Sequence, residues 1–303
     1  MNLSSVVAVH FLDVGQAHAA VATDSRSALV VDCPKSGARA ASERISGVGQ
    51  LDVIVTHRDL DHCGGIAEIL REGACESTRL FINAGMAVSS DSRDHPRVKA
   101  VIRSILGAID EAGASCEHAL RGRSGNTGAF SWTVLAPTHE QVLATAIGGS
   151  INRSSVVVRL QFENTRFLIP GDVDDSAVDM LLENPSELAA EVLLMPHHGA
   201  KMKRLDELLK AVDPQHVVIS SGRSMSHPAI DTLRIVAAHS CRLMCTEVSP
   251  HCHDQELEAA DCAGSISFTF PEGSVQVNPD FETHLARIDG WDSPKCIVDL
   301  PGR

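Results

Sequence analysis

A dense group of polar side chains at the end of an apolar run constrains this chain more than any other feature. Residues 51–55 (Leu-Asp-Val-Ile-Val) are typical of a buried strand, and residues 64–70 have the glycines and apolar spacing of a starting helix. Between them, four side chains with metal-binding heads lie within six residues: His57, Asp59, Asp61 and His62. A loop at the C-terminal end of a strand can aim several ligands at one point. The alternative is a solvated polar turn, because Asp is an ordinary turn residue.

The same arrangement recurs along the chain, because other apolar runs also end in a loop that carries Asp or His. These loop residues are Asp13, Asp32, Asp172, His197 with His198, and His227. In layered α/β folds, sites gather at the carboxyl ends of strands. The convergence favours one shared site over a series of unrelated polar turns.

The apolar periodicity predicts a layered α/β architecture. Strands are predicted at residues 6–13, 17–23, 28–32, 51–55, 79–83, 116–120, 130–136, 155–162, 166–170, 191–195, 216–220, 241–246, 265–271 and 274–278. Helices are predicted at residues 37–47, 64–72, 97–113, 205–212 and 229–239. We expect a main domain over residues 1–240 and a C-terminal extension, residues 241–303, that completes it.

Charge and composition argue against several classes of function. The formal net charge of −13 disfavours general binding of duplex DNA, which needs a basic footprint. Aromatic residues make up 3% of the chain and Tyr is absent, so little is available for stacking along single strands. No apolar run reaches about 18 residues, so no membrane helix is expected. The absence of a secretory signal and an odd cysteine count, nine, predict a reducing cytoplasm.

The loop residues are sufficient to hold two divalent ions. We predict that His57 and Asp59 serve one ion, that Asp61 and His62 serve a second, and that Asp172 bridges the two. Such oxygen-rich ligands favour manganese or magnesium more than an all-His set would, with zinc as the alternative. Two ions about 4 Å apart can hold a hydroxide and a substrate oxygen together, which suits hydrolysis of a phosphodiester, an amide or an ester.

Three histidines from later loops extend this predicted site. His227 is expected to complete one of the two metal spheres. Of His197 and His198, one is expected to be a ligand or a group behind a ligand, and the other the general acid for the leaving group. The sequence does not decide which is which, and simple packing near a helix start is the alternative for the pair. Together with Asp61, they are the predicted catalytic residues.

Basic residues near these loops would give this acidic protein a local, positively charged surface that binds anions. They are Arg58, Lys201, Lys203, Arg204 and Arg223. We predict that Lys201 and Arg223 contact substrate, together with Asn152 from the glycine-marked loop at 148–154. This placement favours an anionic, phosphate-bearing substrate. A solvated charged face is the alternative.

Cysteines near the C-terminus form a second group, with two histidines interleaved: Cys241, Cys245, Cys252 and Cys262. One interpretation is a structural zinc site. The other is a set of buried free thiols, because the spacing is loose and lacks a tight Cys-x2-Cys pair. Separately, Cys63 lies beside the metal loop and is a candidate for oxidation.

The ordered motifs resemble the metallo-β-lactamase superfamily. His57-x-Asp59-x-Asp61-His62 resembles its His-x-His-x-Asp-His motif with Asp in place of the second His, a variant similar to the soluble domain of ComEC-type DNA-uptake proteins. Further motifs support the resemblance over residues 6–240: Phe11-Leu12-Asp13-Val14-Gly15-Gln16, Asn152-x-x-Ser155-Val156-Val157, Ile169-Pro170-Gly171-Asp172, Pro196-His197-His198-Gly199 and Ser226-His227-Pro228.

The resemblance implies an αββα sandwich, in which helices flank two mixed β-sheets and a binuclear site lies between the upper sheet edges. It places the metal positions at His57, Asp59, Asp61, His62, Asp172 and His227. The chain departs from the family at three places. The usual third-motif His is missing and Asn152 lies in that region, Ala17-His18 replaces Gly-Asp, and Ala200 replaces Ser. Because these changes fall where substrate should lie, the fold carries over more safely than the substrate.

Three functions follow as hypotheses. The leading one is a metal-dependent phosphodiesterase or nuclease that acts on single-stranded nucleic acid or a nucleotide-derived substrate. The second is an amide or ester hydrolase, such as a protease, that works with a protein partner in a multi-protein system. The third is a binding module of the same fold that lacks catalysis, which the missing third-motif His motivates.

Overall fold

In the described part of the chain, two eight-stranded β-sheets face each other, and helices cover their outer sides. The computed structural model describes residues 7–73, 75–87, 96–222, 227–247, 260–262 and 264–280. The predicted αββα sandwich of two mixed sheets is therefore confirmed. Within the described part of the chain, no helix combines the length and the apolarity that crossing a membrane requires.

The first sheet combines an antiparallel and a parallel half. It is built from β1 (Ala8–Phe11), β2 (Ala20–Thr23), β3 (Ser27–Val31), β4 (Gln50–Val55), β5 (Ser77–Asn83), β6 (Ser115–Ala119), β15 (Ile266–Thr269) and β16 (Gln276–Pro279). Its order is β16-β15-β1-β2-β3-β4-β5-β6, and β3 to β6 are parallel. Successive parallel strands therefore deliver their C-terminal loops to one edge.

The second sheet has the same mixed character. It is built from β7 (Ser124–Thr127), β8 (Phe130–Ala136), β9 (Val157–Phe162), β10 (Thr165–Ile169), β11 (Val192–Leu194), β12 (His216–Ile219), β13 (Arg242–Cys245) and β14 (Ala260–Cys262). Its order is β14-β13-β12-β11-β10-β9-β8-β7, and β10 to β14 are parallel. The four strands β13 to β16 thus complete both sheets.

The helices lie on the two outer faces. They are α1 (Ala38–Ile45), α2 (Leu60–Cys63), α3 (Ile66–Glu72), α4 (Ala84–Ala87), α5 (Pro96–Ala112), α6 (His139–Ala146), α7 (Asp175–Leu181), α8 (Leu205–Val212) and α9 (Ile230–Ala237). Helices α1, α3 and α5 pack on the first sheet, and α7, α8 and α9 pack on the second. A third apolar layer, with Phe11, Trp132 and Phe167, fills the space between the sheets.

Six of the described helices and strands are absent from the sequence-based predictions, namely β7, β14, α2, α4, α6 and α7. Helix α6 buries little apolar surface, since Leu143 is 64% exposed, so its sequence has no clear apolar stripe. Its start was nevertheless signalled by a capping box between Thr138 and Gln141. Helix α7 likewise begins after Asp174, whose side chain accepts a hydrogen bond from the Ala177 N–H.

The strand predicted from residue 17 begins only at Ala20, so the prediction is wrong at its start. The His18 N–H donates to the Asp61 carbonyl, 3.1 Å away in the short helix α2 that follows β4. Ser220, just after β12, donates its hydroxyl to the Ala17 carbonyl. Residues 17–19 are therefore fixed as a loop by contacts to other strand ends.

An ion pair with a buried carboxylate lies within the first sheet at the opposite end of the sandwich, and a hydrogen bond from β7 connects it to the second sheet. Asp52 on β4 is fully buried, and its carboxylate accepts two hydrogen bonds from Arg79 on β5, at 2.7 and 2.5 Å. Thr127 on β7 donates its hydroxyl to the same carboxylate, and the Trp132 indole donates to Thr127 at 3.1 Å. Because the Asp52 carboxylate is away from water, these donors compensate the free-energy cost of its burial.

We predict that Arg79→Ala lowers the free energy of unfolding by about 3–5 kcal/mol, because it leaves the Asp52 carboxylate buried without its cation. Arg39→Ala is the control, since Arg39 forms an exposed pair with Glu43 four residues away and should change stability by at most about 0.5 kcal/mol. Urea unfolding followed by circular dichroism measures both. Equal effects of the two substitutions would contradict the prediction.

Candidate metal centre

The loops at the C-terminal ends of the central parallel strands meet in the cleft between the two sheets. Asp32 follows β3, residues 57–62 follow β4, Asp172 follows β10, and the pair His197 and His198 follows β11. The sequence pattern predicts all of these at strand ends. The structure adds that the two sheets aim them at one another.

The Asp172 carboxylate lies at the centre of the site and is 4% exposed. Five imidazoles place a ring nitrogen within 4 Å of its oxygens: His62 Nε2 at 3.2 Å, His198 Nε2 at 3.8 Å, and His18 Nδ1, His57 Nε2 and His197 Nε2 at 3.9 Å each. Burial would raise the pKa of Asp172, but the imidazoles, His62 first, hold it far below its usual range. The group is therefore a carboxylate.

Hydrogen bonds behind the site orient two of these rings. Asp32 accepts from the Thr56 N–H at 2.7 Å and the Thr56 hydroxyl at 2.6 Å, and its Oδ2 lies 2.7 Å from His62 Nδ1. Since the Thr56 hydroxyl proton goes to Asp32, Thr56 Oγ1 accepts from His57 Nδ1, 3.0 Å away. Both rings thus turn Nε2 toward Asp172.

Two carboxylates act on His62 from opposite sides. Burial alone would lower the pKa of this imidazole, but Asp172 and Asp32 raise it well above its usual value. The place between His62 and Asp172 therefore attracts positive charge. A carboxylate behind a ligating His is a common arrangement at metal sites, because it fixes the ring and raises its basicity.

His198 is oriented in the same way from the second sheet. It is 2% exposed, and its Nδ1 donates to the Ser220 carbonyl at 3.0 Å, because a carbonyl oxygen can only accept. Its Nε2 then faces Asp61 Oδ2 at 3.4 Å. His197 and His198 both have left-handed backbones, with φ of 50° and 53°. This strained turn directs His198 inward and leaves His197 at the rim.

Several buried atoms facing the cleft lack a hydrogen-bond partner, as expected of groups that bind a cation. They are His18 Nδ1 and Nε2, His57 Nε2, His62 Nε2, His198 Nε2 and Asp172 Oδ1. Ligand atoms of Asp61, His62, Asp172 and His198 all lie within 4.8 Å of one another. Imidazole nitrogens and carboxylate oxygens are ordinary ligands of divalent metals, so these residues fit such an ion.

His18 belongs to this site, although the sequence analysis treats it only as a departure from the family pattern. Its ring is 1% exposed and lies against two ligand candidates, with centroid distances of 4.7 Å to His62 and 4.4 Å to His198. Burial, followed by the neighbouring imidazoles, holds its pKa well below the usual value, so the ring is neutral. The exchange of Gly-Asp for Ala17-His18 was the sequence signal.

The other half of the predicted site is more open to solvent. His57 Nε2 lies 3.6 Å from Asp59 Oδ2, and the Asp59 side chain is 45% exposed. The His227 ring lies 5.5 Å from that of His197, centroid to centroid. Asn152 Nδ2 lies 3.4 Å from His197 Nδ1. The ligand roles of His57, Asp59 and His227 and the substrate role of Asn152 stay predictions.

Two of the predicted basic residues, Lys201 and Arg204, form ion pairs with carboxylates at the surface. Lys201 Nζ lies 2.5 Å from Asp231, and Arg204 contacts Asp179 and Glu207 at 2.7 Å each. These contacts agree with the alternative of a solvated charged face, and the substrate role of Lys201 stays a prediction. Arg223 lies outside the described residues.

The structure describes the side chains of only part of the predicted cysteine group. Cys245 is buried, Cys241 is half-buried, and both contact the apolar layer on the outer face of the second sheet. Cys252 and the Cys262 side chain lie outside the described residues, so the zinc site stays a prediction. Burial, followed by nearby carboxylates, raises the pKa of the Cys63 thiol to about 12, which disfavours the thiolate that oxidation requires.

Comparison with known proteins supports the resemblance derived from the motifs. ComE operon protein 3 of Bacillus subtilis (strain 168) is 26% identical over 242 residues, which cover 78% of this chain and 27% of that protein. Competence protein ComA of Neisseria gonorrhoeae is 31% identical over 101 residues, or 32% of this chain and 15% of that protein. The predicted similarity to ComEC-type proteins is confirmed. The chain spans well under half the length of both relatives, and no protein-family model matches it.

Solved structures with similar chain paths include two with a TM-score of 0.49. The metallo-beta-lactamase fold protein YhfI from Bacillus subtilis is 11% identical, with coverage of 78% of this chain and 94% of that one. CmlA, a diiron beta-hydroxylase from Streptomyces venezuelae, is 13% identical, with coverage of 78% and 51%. The fold assignment rests on the two sheets themselves, which form the sandwich that the motif resemblance implies.

We predict that Asp32→Asn lowers the affinity for a divalent metal by about 10- to 100-fold, because His62 loses the carboxylate that orients it. Asn tolerates the left-handed backbone of Asp32, whose φ is 57°, so the loop should keep its shape. Calorimetric titration with zinc and with manganese measures the change. Asp231→Asn, which removes an exposed carboxylate paired with Lys201, is the control, and an equal affinity of the two variants would contradict the role of Asp32.

Proposed function

We propose that this protein is a metal-dependent hydrolase that cleaves a phosphodiester in single-stranded nucleic acid or a nucleotide-derived molecule. One observation carries the proposal. The buried Asp172 carboxylate faces the Nε2 atoms of His57, His62 and His198, whose Nδ1 atoms are all bonded to acceptors behind them. Ligand atoms arranged in this way suit divalent cations far better than they suit a packed core.

Two sets of residues would hold the cations, with Asp172 shared between them. Asp61, His62 and His198 form the buried set, and His57 and Asp59 form the more exposed one. When bound, divalent cations neutralise charge on phosphate oxygens and make water easier to deprotonate. The chain contributes the positions of these ligands and a cleft closed on the inner side.

The two neighbouring histidines have different roles in this proposal. His198 is a ligand, because it is buried and its Nδ1 proton is committed to Ser220. His197 is the general acid, because 35% of its side chain is exposed at the rim and its Nε2 lies 3.9 Å from Asp172 Oδ2. It can hold a proton for the leaving oxygen, and Asn152 beside it can orient the ring or a phosphate oxygen.

Support for a phosphodiester substrate comes from two sources. The Asp59 variant of the first motif and the sequence match to ComE operon protein 3 both relate this chain to competence proteins. The exposed rim also carries two hydrogen-bonding side chains, His197 and Asn152, that suit a phosphate. The acidic net charge of −13 favours a small or single-stranded substrate over a long duplex.

We predict that the protein turns over bis(p-nitrophenyl) phosphate and a labelled single-stranded oligonucleotide in the presence of manganese or zinc. Asp172→Asn should lower this turnover by at least about 100-fold, because the shared carboxylate is worth several kcal/mol of charge stabilisation. Release of p-nitrophenol and gel analysis of the oligonucleotide measure the two activities.

Asp179→Asn serves as the matched control, since Asp179 is an exposed carboxylate paired with Arg204, and it should retain wild-type turnover. A chelator should abolish turnover, and added metal should restore it. Turnover of p-nitrophenyl acetate or of a peptide without turnover of either phosphodiester would contradict the proposal and favour an amide or ester hydrolase. No metal-dependent turnover of any of these compounds would favour a binding module.

A further inference from the structure

We propose that His18 is a ligand of the cation held by Asp61, His62, Asp172 and His198, which adds a third imidazole to the buried metal sphere. The inference rests on the proposed function only in that a cation binds at Asp172. No motif of the resemblance assigns His18 this role, since the family pattern has Asp at this position.

The hydrogen-bonding state of the His18 ring is the first argument. The ring is 1% exposed, and neither Nδ1 nor Nε2 has a hydrogen-bond partner. A buried imidazole that served only for packing would normally satisfy at least one of its nitrogens. Even the half-buried His10 has such a partner, because its Nδ1 bonds to Ser267 Oγ at 2.7 Å.

Distances between candidate ligand atoms are the second argument. Atoms bound about 2.1 Å from one ion lie about 3.0–3.4 Å apart at octahedral or tetrahedral angles, and up to about 4.2 Å apart when they are opposite each other. His62 Nε2 to Asp172 Oδ1 is 3.2 Å, His198 Nε2 to Asp61 Oδ2 is 3.4 Å, and His18 Nδ1 to Asp172 Oδ1 is 3.9 Å. All three pairs fall within this range. A ligand atom of His18 also lies within 4.8 Å of those of Asp32 and His62, although His18 is not in the group formed by Asp61, His62, Asp172 and His198.

The backbone around His18 is fixed by the site itself, which is the third argument. The His18 N–H donates to the Asp61 carbonyl, and the preceding Ala17 carbonyl accepts from Ser220. Asp61 is a ligand candidate, and the Ser220 carbonyl orients His198. The loop that carries His18 is therefore tied to the same two segments that position the other ligands, which preorganises the ring.

Cobalt binding tests this inference without any substrate. We expect His18→Ala to lower the cobalt affinity at least 10-fold and to change the visible d–d absorption, because the ion loses a nitrogen donor. The control is His10→Asn, which alters a half-buried imidazole outside the site and should leave both the affinity and the spectrum unchanged. An unchanged affinity and spectrum in a folded His18→Ala protein would overturn the inference.

A measurement on the wild-type chain covers the case in which His18→Ala does not fold. In protein labelled with ¹⁵N-histidine, zinc should shift the His18 ring nitrogens along with those of His62 and His198, and leave those of His10 in place. Unshifted His18 nitrogens, or a wild-type protein that binds no divalent metal, would overturn the inference. Metal binding through His18 without turnover of a phosphodiester would support it while contradicting the proposed function.

Discussion

A buried carboxylate among imidazoles is the constraint on which this structure depends. Asp172 is almost fully removed from water yet remains ionised, because five ring nitrogens lie within 4 Å of it. A buried charge of this kind is tolerable only where compensating groups are held in place. The loops of both sheets provide that compensation, so the fold and the site depend on each other.

The residues that hydrogen-bond to the candidate ligand side chains are arranged as specifically as the ligands themselves. Asp32 binds the Thr56 backbone, the Thr56 hydroxyl and His62, and Thr56 in turn fixes His57. Thr56 also explains the glycine before Asp172, since a Cβ on Gly171 would come within 2.9 Å of the Thr56 Cβ. The left-handed turn at His197 and His198 stores backbone strain in the same place. Local strain and close packing here serve to aim side chains.

Much of the fold was predictable because its strands are short apolar runs between clear turn signals. The predictions failed where burial does not follow the apolar periodicity of the sequence. In α6, for example, the apolar side chain of Leu143 faces solvent. They also failed at residues 17–19, which have strand-like composition but bond to residues that follow β4 and β12. In both cases, contacts distant in sequence override the local preference. For the same reason, sequence spacing could not find His18 as a member of the site.

The sequence by itself determined which residues stand at the strand ends, and hence that His57, Asp61, His62 and Asp172 could share a site. Their chemistry and their position after buried strands are local properties, which a single chain displays directly. Only the tertiary structure decided what each imidazole does. A ring nitrogen is directed by the acceptor behind it, and the acceptor for His198 is a carbonyl 22 residues away in the chain. Such pairings exist only once the two sheets have packed.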